Sequence, residues 1–175
     1  MFNEAFNSKV CKGLLMRSLY FFVAGILVGA TVQLSFAENH SRGVVSLNHV
    51  GVSVPDLDEA VTFYTETMGF PEAFRVNDEA GQPALVYVQV SQNTFVELQP
   101  AHEQRPPGIS HFGLQVDDMV AATTMFAKRG ANISDTRVGS TKAILSNISD
   151  PNGIRIELLE VPPDSLTWKA MQGWE

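Results

Sequence analysis

An internal repeat restricts the possible folds of this chain more than any other feature of its sequence. The segment LNHVGVSVPDLDEAVTFY, which starts at Leu47, aligns without a gap with ISHFGLQVDDMVAATTMF, which starts at Ile109. The alignment pairs His49 with His111 at an offset of 62 residues. A repeat of this kind indicates a duplicated supersecondary unit, so we expect two similar modules of about 60 residues each.

Each module has the pattern of a strand, a helix and three further strands. Apolar and polar residues alternate in VVSLNHVGVSV, which is typical of a half-buried strand. The following segment, DLDEAVTFYTETMG, has apolar residues at helical spacing, an Asp at its start and a Gly at its end. The sequence thus predicts an α+β fold of two tandem βαβββ modules, at about 44–104 and 105–161. We expect strands at 44–54, 72–77, 84–90 and 94–100 with a helix at 56–69, then strands at 108–116, 131–138, 141–148 and 154–161 with a helix at 117–130.

The first residues of the chain have the features of a secretory signal peptide. Basic residues up to Arg17 precede the apolar run LYFFVAGILVGATVQL, and small residues stand at the third and first positions before a cut after Ala37. We therefore expect removal of residues 1–37, an N-terminal tail at 38–43 and a secreted or periplasmic protein. The alternative is a retained membrane anchor, although the run is short for a span of about 20 residues and contains two glycines and a glutamine.

The charge of the chain excludes some classes of partner. Lys and Arg number 12 against 19 Asp and Glu, for a net charge of -7, and removal of the leader would leave 9 basic against 18 acidic residues. Such a chain lacks the broad basic surface of a nucleic-acid-binding protein. We expect a small-molecule substrate, no nucleic acid, and no membrane contact after cleavage.

The single cysteine, Cys11, lies in the leader, so the mature chain would have no disulfide and no thiolate ligand.

Two histidines and two glutamates occupy equivalent positions in the two modules. His49 and His111 lie on the first predicted strand of each module, and Glu97 and Glu157 lie on the last. If a two-fold axis relates the modules and these strands are neighbours, the four side chains meet in one cavity. Imidazoles and carboxylates without a thiolate suit a divalent metal such as Zn, Ni, Co, Mn or Fe, with positions left open for substrate. The alternative is that each His is a half-buried structural residue and each Glu a solvated one.

These residues and motifs resemble those of the vicinal oxygen chelate (VOC) superfamily, which includes glyoxalase I, bleomycin-resistance proteins and extradiol dioxygenases. The resemblance covers about residues 44–161 and is carried by LNHVGVSVPDLDEAVTFYTETMGF, VELQP, ISHFGLQVDD and DPNGIRIELLE. It implies paired βαβββ modules that form an incomplete barrel around a divalent metal, the glyoxalase fold. The glyoxalase I ligands correspond to His49, Glu97, His111 and Glu157, whereas the extradiol pattern uses three ligands and leaves Glu97 spare. The resemblance also implies a homodimer, in which the ligands of one metal can come from two chains.

The resemblance to glyoxalase I implies a lyase or isomerase. A divalent metal would act as a Lewis acid on adjacent oxygens of a small chelating substrate and stabilise an enediolate-type intermediate, while a carboxylate removes a proton. The resemblance favours Glu157 as this base, with Glu97 as the alternative. An extradiol-type Fe(II) ring-cleaving dioxygenase and a non-catalytic binding protein of the bleomycin-resistance type are the two alternative functions.

Candidate substrate-binding residues share the predicted polar face of the sheet with the four ligands. Arg155, two residues before Glu157, can hold an anionic group of the substrate, and Gln99, Tyr87 and Asn147 complete the set. These side chains could equally be the ordinary polar residues of a solvated sheet face.

A glutathione adduct is not the expected substrate. In bacterial glyoxalase I an Arg and an Asn, each four residues after a metal ligand, hold the glutathione carboxylates. The corresponding residues here are Ser53 and Ala101, which cannot provide those contacts.

The sequence of the C-terminal tail, residues 162–175, predicts a short helix with Asp164 or Ser165 as its N-cap. Its apolar side chains form one stripe, composed of Leu166, Trp168, Met171 and Trp174. Such a stripe packs on its own domain, covers the cavity or contacts a second subunit.

Overall fold

The computed structural model describes residues 43–174, and within them eight strands and three helices follow one another in the predicted order. The first module consists of β1 (Ser46–Val54), α1 (Leu57–Thr62), β2 (Glu72–Asn77), β3 (Pro83–Ser91) and β4 (Thr94–Pro100), and α1 continues into a π-helical turn over Phe63–Thr67. The second module consists of β5 (Gly108–Gln115), α2 (Met119–Lys128), β6 (Arg137–Val138), β7 (Ile144–Ser149) and β8 (Arg155–Glu160). A third helix, α3 (Leu166–Gln172), follows them.

The strands form a single curled sheet in the order β2-β3-β4-β1-β5-β8-β7-β6. The first strands of the two modules, β1 and β5, pair antiparallel at its centre. On the side away from this central pair, β1 pairs in parallel with β4, and β5 pairs in parallel with β8. In each case the partner is the last strand of the same module. The two halves are therefore arranged symmetrically about the β1–β5 pair. This arrangement confirms the predicted α+β class and incomplete barrel, and it makes the four ligand-bearing strands consecutive neighbours.

The region between α2 and β7 differs most from the sequence-based prediction. The expected strand at 131–138 is reduced to Arg137–Val138 and an isolated bridge between Ile133 and Ile148. The expected start of the next strand is displaced to Ile144 by a turn in which the Gly139 N–H donates to the Ala143 carbonyl at 2.8 Å. The polar segment NISDT has no apolar alternation that would hold a longer strand against the core.

The helices of the two modules, α1 and α2, pack on the outer face of the sheet. α1 covers a cluster around Val86, Val88 and Leu98 of β3 and β4. α2 covers the equivalent cluster around Val116 and Leu158. Burial of each such side chain contributes about 1.5–3 kcal/mol, so these two cores hold the outer face of the sheet in place.

The same capping interaction begins both of these helices. Asp56 accepts a hydrogen bond from the Glu59 N–H, and Asp118 accepts one from the Ala121 N–H, each at 2.9 Å. Because the caps satisfy otherwise unpaired N–H groups, they fix where each helix leaves the strand before it.

The C-terminal helix α3 packs on the inner face of the sheet and bridges the two modules. Met171 contacts Tyr87 and Phe95 of the first module, whereas Trp168 packs against the Leu145 and Leu159 cluster of the second. Ser165 is the N-cap, and its hydroxyl oxygen accepts from the Trp168 N–H at 3.2 Å. Met171 and Trp168 of the apolar stripe therefore pack on the domain itself, whereas Trp174 stays exposed.

The packing of α3 leads to a testable expectation for stability. Met171 is 7% exposed, and its replacement by Ala leaves a cavity against Tyr87 and Phe95. We expect Met171→Ala to lower the free energy of unfolding by about 2–5 kcal/mol in a urea titration. Trp174→Ala is the control, because Trp174 is 38% exposed and its removal should change stability far less. Equal stabilities of the two variants would contradict the bridging role of α3.

The predicted signal peptide, its cleavage after Ala37 and the tail at 38–43 lie outside the described residues, except for Gly43. None of the helices within residues 43–174 is long and apolar enough to cross a membrane.

Candidate metal centre

His49, Glu97, His111 and Glu157 come together on the inner face of the sheet. Each offers one ligand atom, and these four atoms all lie within 4.8 Å of one another. The two imidazole Nε2 atoms are 3.0 Å apart, and His49 Nε2 lies 3.6 Å from a carboxylate oxygen of each glutamate. All four residues are buried, with at most 6% exposure. Residues of a single chain therefore assemble the whole cluster.

Two glycines make room for the histidine rings. In the β1–β5 ladder Gly51 lies opposite His111, and Gly113 lies opposite His49. A Cβ atom on Gly51 would be closer than 3.0 Å to the His111 ring, and one on Gly113 would be as close to the His49 ring. The glycine of each His-x-Gly motif therefore makes room for the histidine of the other module, because each imidazole ring lies over the glycine of the neighbouring strand.

Asn48 fixes the orientation of the His49 ring. Its side-chain amide donates to the Gln115 Oε1 atom at 3.3 Å, which leaves Asn48 Oδ1 to face His49 Nδ1 at 3.1 Å. An amide oxygen only accepts hydrogen bonds, so Nδ1 of His49 carries the proton and Nε2 presents its lone pair to the cluster. This is the arrangement that a metal-ligating histidine requires.

His111 has two competing partners at its Nδ1 atom. The Ser110 hydroxyl lies 2.9 Å away and donates its own proton to the Gly51 carbonyl at 3.1 Å, so its oxygen can accept from Nδ1. The Arg155 Nη2 group lies 2.7 Å from the same Nδ1 atom, and a guanidinium only donates. Ser110 thus suits the tautomer whose Nε2 is free to ligate. Arg155 suits the tautomer in which Nε2 keeps its proton and donates to His49.

Both imidazoles are neutral at ordinary pH. Burial, together with the charge of Arg155, lowers the pKa of His49 to about 3. Burial, Arg155 and the neighbouring His49 lower the pKa of His111 to about 3 as well. The short His–Glu distances are therefore not ion pairs, and both rings are already in the protonation state that binds a metal.

The two carboxyl groups hold their protons more strongly than usual. Burial raises the pKa of Glu97 to about 7, although the hydrogen bond from the Tyr87 hydroxyl opposes the increase. Burial also raises the pKa of Glu157, opposed by the charges of Arg155 and Arg137. Burial and the neighbouring Glu97 carboxylate raise the pKa of Tyr87, which therefore remains a hydrogen-bond donor. Two carboxyl groups in one buried site cannot both ionise freely without a cation between them.

These pKa values predict how metal affinity depends on pH. Glu97 must lose its proton to ligate, so its ionisation should contribute about a tenfold rise in affinity per pH unit below pH 7 and no further rise above it. Glu157, whose pKa burial also raises, should add to the dependence at lower pH. The histidines should contribute nothing in this range, because their pKa values are about 3. Titration of Zn²⁺ against a chelating dye from pH 5 to 8 measures the effect. Glu97→Gln should remove the part of the dependence centred near pH 7; the same curve in this variant would contradict the assignment.

A cavity of about 210 Å³ adjoins the cluster, and both glutamates line it. Among the predicted substrate-binding residues, Tyr87, Gln99 and Arg155 also line it. Asn147 does not, and its Oδ1 atom instead accepts from Arg155 Nη1 at 3.5 Å. The cavity thus includes three of the four predicted substrate-binding residues.

The cavity also contains polar residues that the sequence did not identify. Arg105 comes from the linker between the modules, Arg137 comes from β6, and Ser140 and Thr141 come from the turn after β6. Neither repetition nor alternation marks these positions. Only their charge could have indicated them, because basic residues are scarce in this acidic chain. Of its 12 Lys and Arg residues, 3 line this cavity.

Comparison with known proteins places the fold and the cluster in a family. A family model described as Glyoxalase/Bleomycin resistance protein/Dioxygenase superfamily matches residues 46–158. The chain belongs to this superfamily. The match extends from the start of β1 to the middle of β8 and so includes all four residues of the cluster. Members of the superfamily use divalent metals.

Relatives in the superfamily carry more than one enzyme name. The chain is 28% identical over 156 residues to a probable chloroplastic lactoylglutathione lyase of Arabidopsis thaliana, a match that covers 80% of this chain but only 43% of that protein. It is 30% identical over 131 residues to an ethylmalonyl-CoA/methylmalonyl-CoA epimerase of Cereibacter sphaeroides, covering 66% of this chain and 97% of the relative. The solved structure of methylmalonyl-CoA epimerase from Mycobacterium tuberculosis superposes with a TM-score of 0.61 at 25% identity, covering 71% and 97% of the two chains.

The cluster fits the divalent metal that the superfamily implies. Four nitrogen and oxygen ligands at about 2.0–2.2 Å from one ion lie within about 4.4 Å of one another. The four atoms here lie within 4.8 Å, so a shift of a few tenths of an ångström would bring all four to one ion. Two neutral imidazoles and two carboxylates without a thiolate are a donor set that Zn, Ni, Co, Mn and Fe all accept. A divalent charge would also compensate the two buried carboxylates.

Proposed function

We propose that this protein is a divalent-metal-dependent lyase or isomerase that removes a proton next to a carbonyl of a small oxygen-chelating substrate. The observation that carries the proposal is the buried cluster of His49, Glu97, His111 and Glu157 beside a polar cavity. A bound divalent ion would supply Lewis-acid stabilisation of the negative charge that develops on the substrate oxygens during proton removal.

The surroundings of the two glutamates suggest different roles for them. The Tyr87 hydroxyl holds one oxygen of Glu97, which favours a fixed ligand. Glu157 also lies 3.6 Å from His49 Nε2, but its other contacts are with the guanidinium groups of Arg155 at 3.3 Å and Arg137 at 3.7 Å. Within residues 43–174 no hydroxyl group holds its second oxygen, so its carboxyl group is freer than that of Glu97 to reach a substrate C–H. Burial raises the pKa of both glutamates and makes each a stronger base than an exposed carboxylate, so the choice between them rests on their contacts. We therefore propose Glu157 as the general base.

The position of Glu97 favours the lyase or isomerase over the ring-cleaving dioxygenase. In the three-ligand extradiol pattern Glu97 would be spare, and nothing would require its burial against the histidines. Instead it is 4% exposed and its oxygens lie 3.6 Å from His49 Nε2 and 3.8 Å from His111 Nε2. A buried carboxylate at this position costs free energy unless a cation compensates it, which supports a four-ligand site. The same buried ligand set argues against a purely non-catalytic binding protein.

The size and lining of the cavity bear on the substrate. A volume of about 210 Å³ is below the usual range of about 300–1,000 Å³ for sites that enclose drug-sized ligands, so the reacting part of the substrate is small. Ser53 and Ala101 stand where glutathione-binding residues are expected, which supports a substrate other than a glutathione adduct. The epimerase relatives are named for acyl-CoA substrates, so a thioester remains among the substrates to be tested.

Isotope exchange tests the proposal without knowledge of the product. Protein reconstituted with Zn, Ni, Co, Mn or Fe(II) is incubated in D₂O with pyruvate, oxaloacetate, dihydroxyacetone or methylmalonyl-CoA, and loss of the proton next to the carbonyl is followed by NMR. We expect exchange above the uncatalysed rate with at least one of these compounds, and none above it in a His49→Ala, Glu157→Ala double variant. Oxygen consumption with catechol by the Fe(II) form, without any exchange, would contradict the proposal and support the dioxygenase.

Export of the chain and formation of a homodimer stay predictions. Because the cluster is complete within one chain, we expect a monomeric variant of any such dimer to keep its metal.

A further inference from the structure

The arginines around the cavity form a cationic group, and the proposed mechanism needs none of them as a base or a metal ligand. Arg105, Arg137 and Arg155 come from the inter-module linker, β6 and β8, yet all three line the same cavity. The only acidic residues among the described residues that line it are Glu97 and Glu157. A divalent ion would compensate those two carboxylates, which leaves three guanidinium charges beside a cavity of about 210 Å³.

Two of these guanidinium groups have unused donors. Arg105 Nη2 donates to the Pro100 carbonyl at 2.8 Å, but its Nε–H is buried and has no hydrogen-bond partner among the described residues. Arg137 is half exposed, and its nearest carboxylate contact is Glu157 at 3.7 Å, which is too long for a good hydrogen bond. A buried unpaired N–H group costs about 1–3 kcal/mol, so the Arg105 side chain would gain free energy by turning this N–H toward an acceptor in the cavity.

Arg155 would join this group if the cluster held a metal. In the present arrangement its Nη2 group donates to Nδ1 of His111. Ligation through Nε2 requires that Nδ1 carries the proton, and the Ser110 oxygen at 2.9 Å is the partner that accepts it. Arg155 then loses an acceptor, and its donors become available to a ligand in the cavity.

We propose that Arg105 and Arg137, assisted by Arg155, bind a carboxylate of the substrate that is distinct from its metal-chelating oxygens. The substrate class is thus a small chelating molecule with an additional carboxylate, either a free acid or the acyl part of a thioester. Guanidinium groups pair with carboxylates through two parallel hydrogen bonds, which fixes orientation as well as charge. This inference rests on the proposed function for the chelating part of the substrate. The carboxylate site itself stands on the arginines alone.

A matched pair of chelating probes tests the inference. Acetohydroxamate and succinate monohydroxamate both chelate divalent ions through two oxygens, but only the second carries a carboxylate. Calorimetric titration of zinc-loaded protein should give at least about tenfold tighter binding of the carboxylated probe. Arg105→Gln and Arg137→Gln should each reduce this preference several-fold, and the double variant should abolish it. Arg75→Gln, which removes an exposed arginine paired with Glu72 away from the cavity, should leave it unchanged.

Separate arms distinguish failure of this inference from failure of the proposed function. If acetohydroxamate binds the zinc-loaded protein no better than the metal-free protein, the metal-centre proposal fails. Succinate and succinamide titrated into metal-free protein then test the arginines alone, and preference for succinate that is lost in the Arg105→Gln, Arg137→Gln variant supports the inference. Equal binding of the two hydroxamates by the zinc-loaded wild type, or a preference that the double variant retains, overturns it.

Competition identifies the source of the carboxylate. Displacement of succinate monohydroxamate by malonate indicates a free acid, and displacement by malonyl-CoA but not by malonate indicates a thioester. Malonate also chelates metals, so displacement supports the carboxylate site only if it weakens in the Arg105→Gln, Arg137→Gln variant. Displacement that is equal in wild type and variant, or displacement by neither compound, counts against the site.

Discussion

Replacement of Glu157 by Gln is expected to lower the rate of substrate deuterium exchange by about 10²–10⁴-fold, the usual contribution of a general base. The amide is nearly isosteric with the carboxyl group and keeps an oxygen that faces the cluster, but it cannot accept a proton from carbon. His49, Glu97 and His111 remain, so most of the metal should stay bound. Exchange rates measured by NMR, together with metal content from elemental analysis of the same sample, separate loss of the base from loss of the metal.

The corresponding change at Glu97 is the matched comparison. Glu97→Gln removes the charge from one ligand and leaves only a neutral oxygen to accept from the Tyr87 hydroxyl, so it should lower metal affinity more than it lowers exchange in the fully loaded protein. The reverse result, with full exchange in Glu157→Gln and none in metal-loaded Glu97→Gln, would assign the base to Glu97. Full activity of both variants would contradict the proposed mechanism.

Alanine at Gly51 or Gly113 is expected to cost the protein most of its metal affinity. A methyl group at either position would lie closer than 3.0 Å to the histidine ring of the opposite strand. The ring must then move, because both positions are in the central β1–β5 ladder and the backbone has little room to shift. We expect at least about a hundredfold loss of Zn²⁺ affinity and about 1–3 kcal/mol of destabilisation from the overpacking.

A third glycine serves as the control for this experiment. A Cβ on Gly173, after α3, would meet its nearest atoms at 3.4 and 3.8 Å, which is ordinary contact, and its backbone does not require glycine. Gly173→Ala should therefore keep the affinity and stability of the wild type. Unchanged Zn²⁺ affinity in Gly51→Ala and Gly113→Ala would show that the histidine rings over these glycines are not ligands.

The centre of the fold could be predicted from the sequence because the internal repeat identifies the equivalent strands of the two modules. The matched positions of His49 and His111, and of Glu97 and Glu157, follow from two modules of the same design related by symmetry. Alternation along the strands also separated the polar inner face from the apolar outer face. Such patterns depend on local geometry, in which side chains alternate along a strand, and so they are readable without coordinates.

The role of the repeated glycines could not be read in the same way. Gly51 and Gly113 are visible in the alignment, but only the antiparallel register of β1 and β5 places each of them under the histidine of the other strand. Register between strands depends on tertiary packing, which a single sequence does not specify.

Arg105 and Arg137 were missed for a related reason. One lies in a linker and the other in a two-residue strand at the edge of the sheet, and neither segment has a period from which a direction can be inferred. The tail helix shows the same limit. Its apolar stripe and a cap at Asp164 or Ser165 were predictable, and the structure selects Ser165, but the position of the helix across the inner faces of both modules was not predictable.

Metal content is the most direct test of the account, whose central claim is that His49, Glu97, His111 and Glu157 hold one divalent ion. Protein purified without added metal, and again after dialysis against Zn²⁺, is measured by elemental analysis beside the His49→Ala, Glu157→Ala double variant. We predict about one ion per chain in the wild type after dialysis and almost none in the double variant. A wild type that binds no ion, or a double variant that binds as much as the wild type, would contradict the claim.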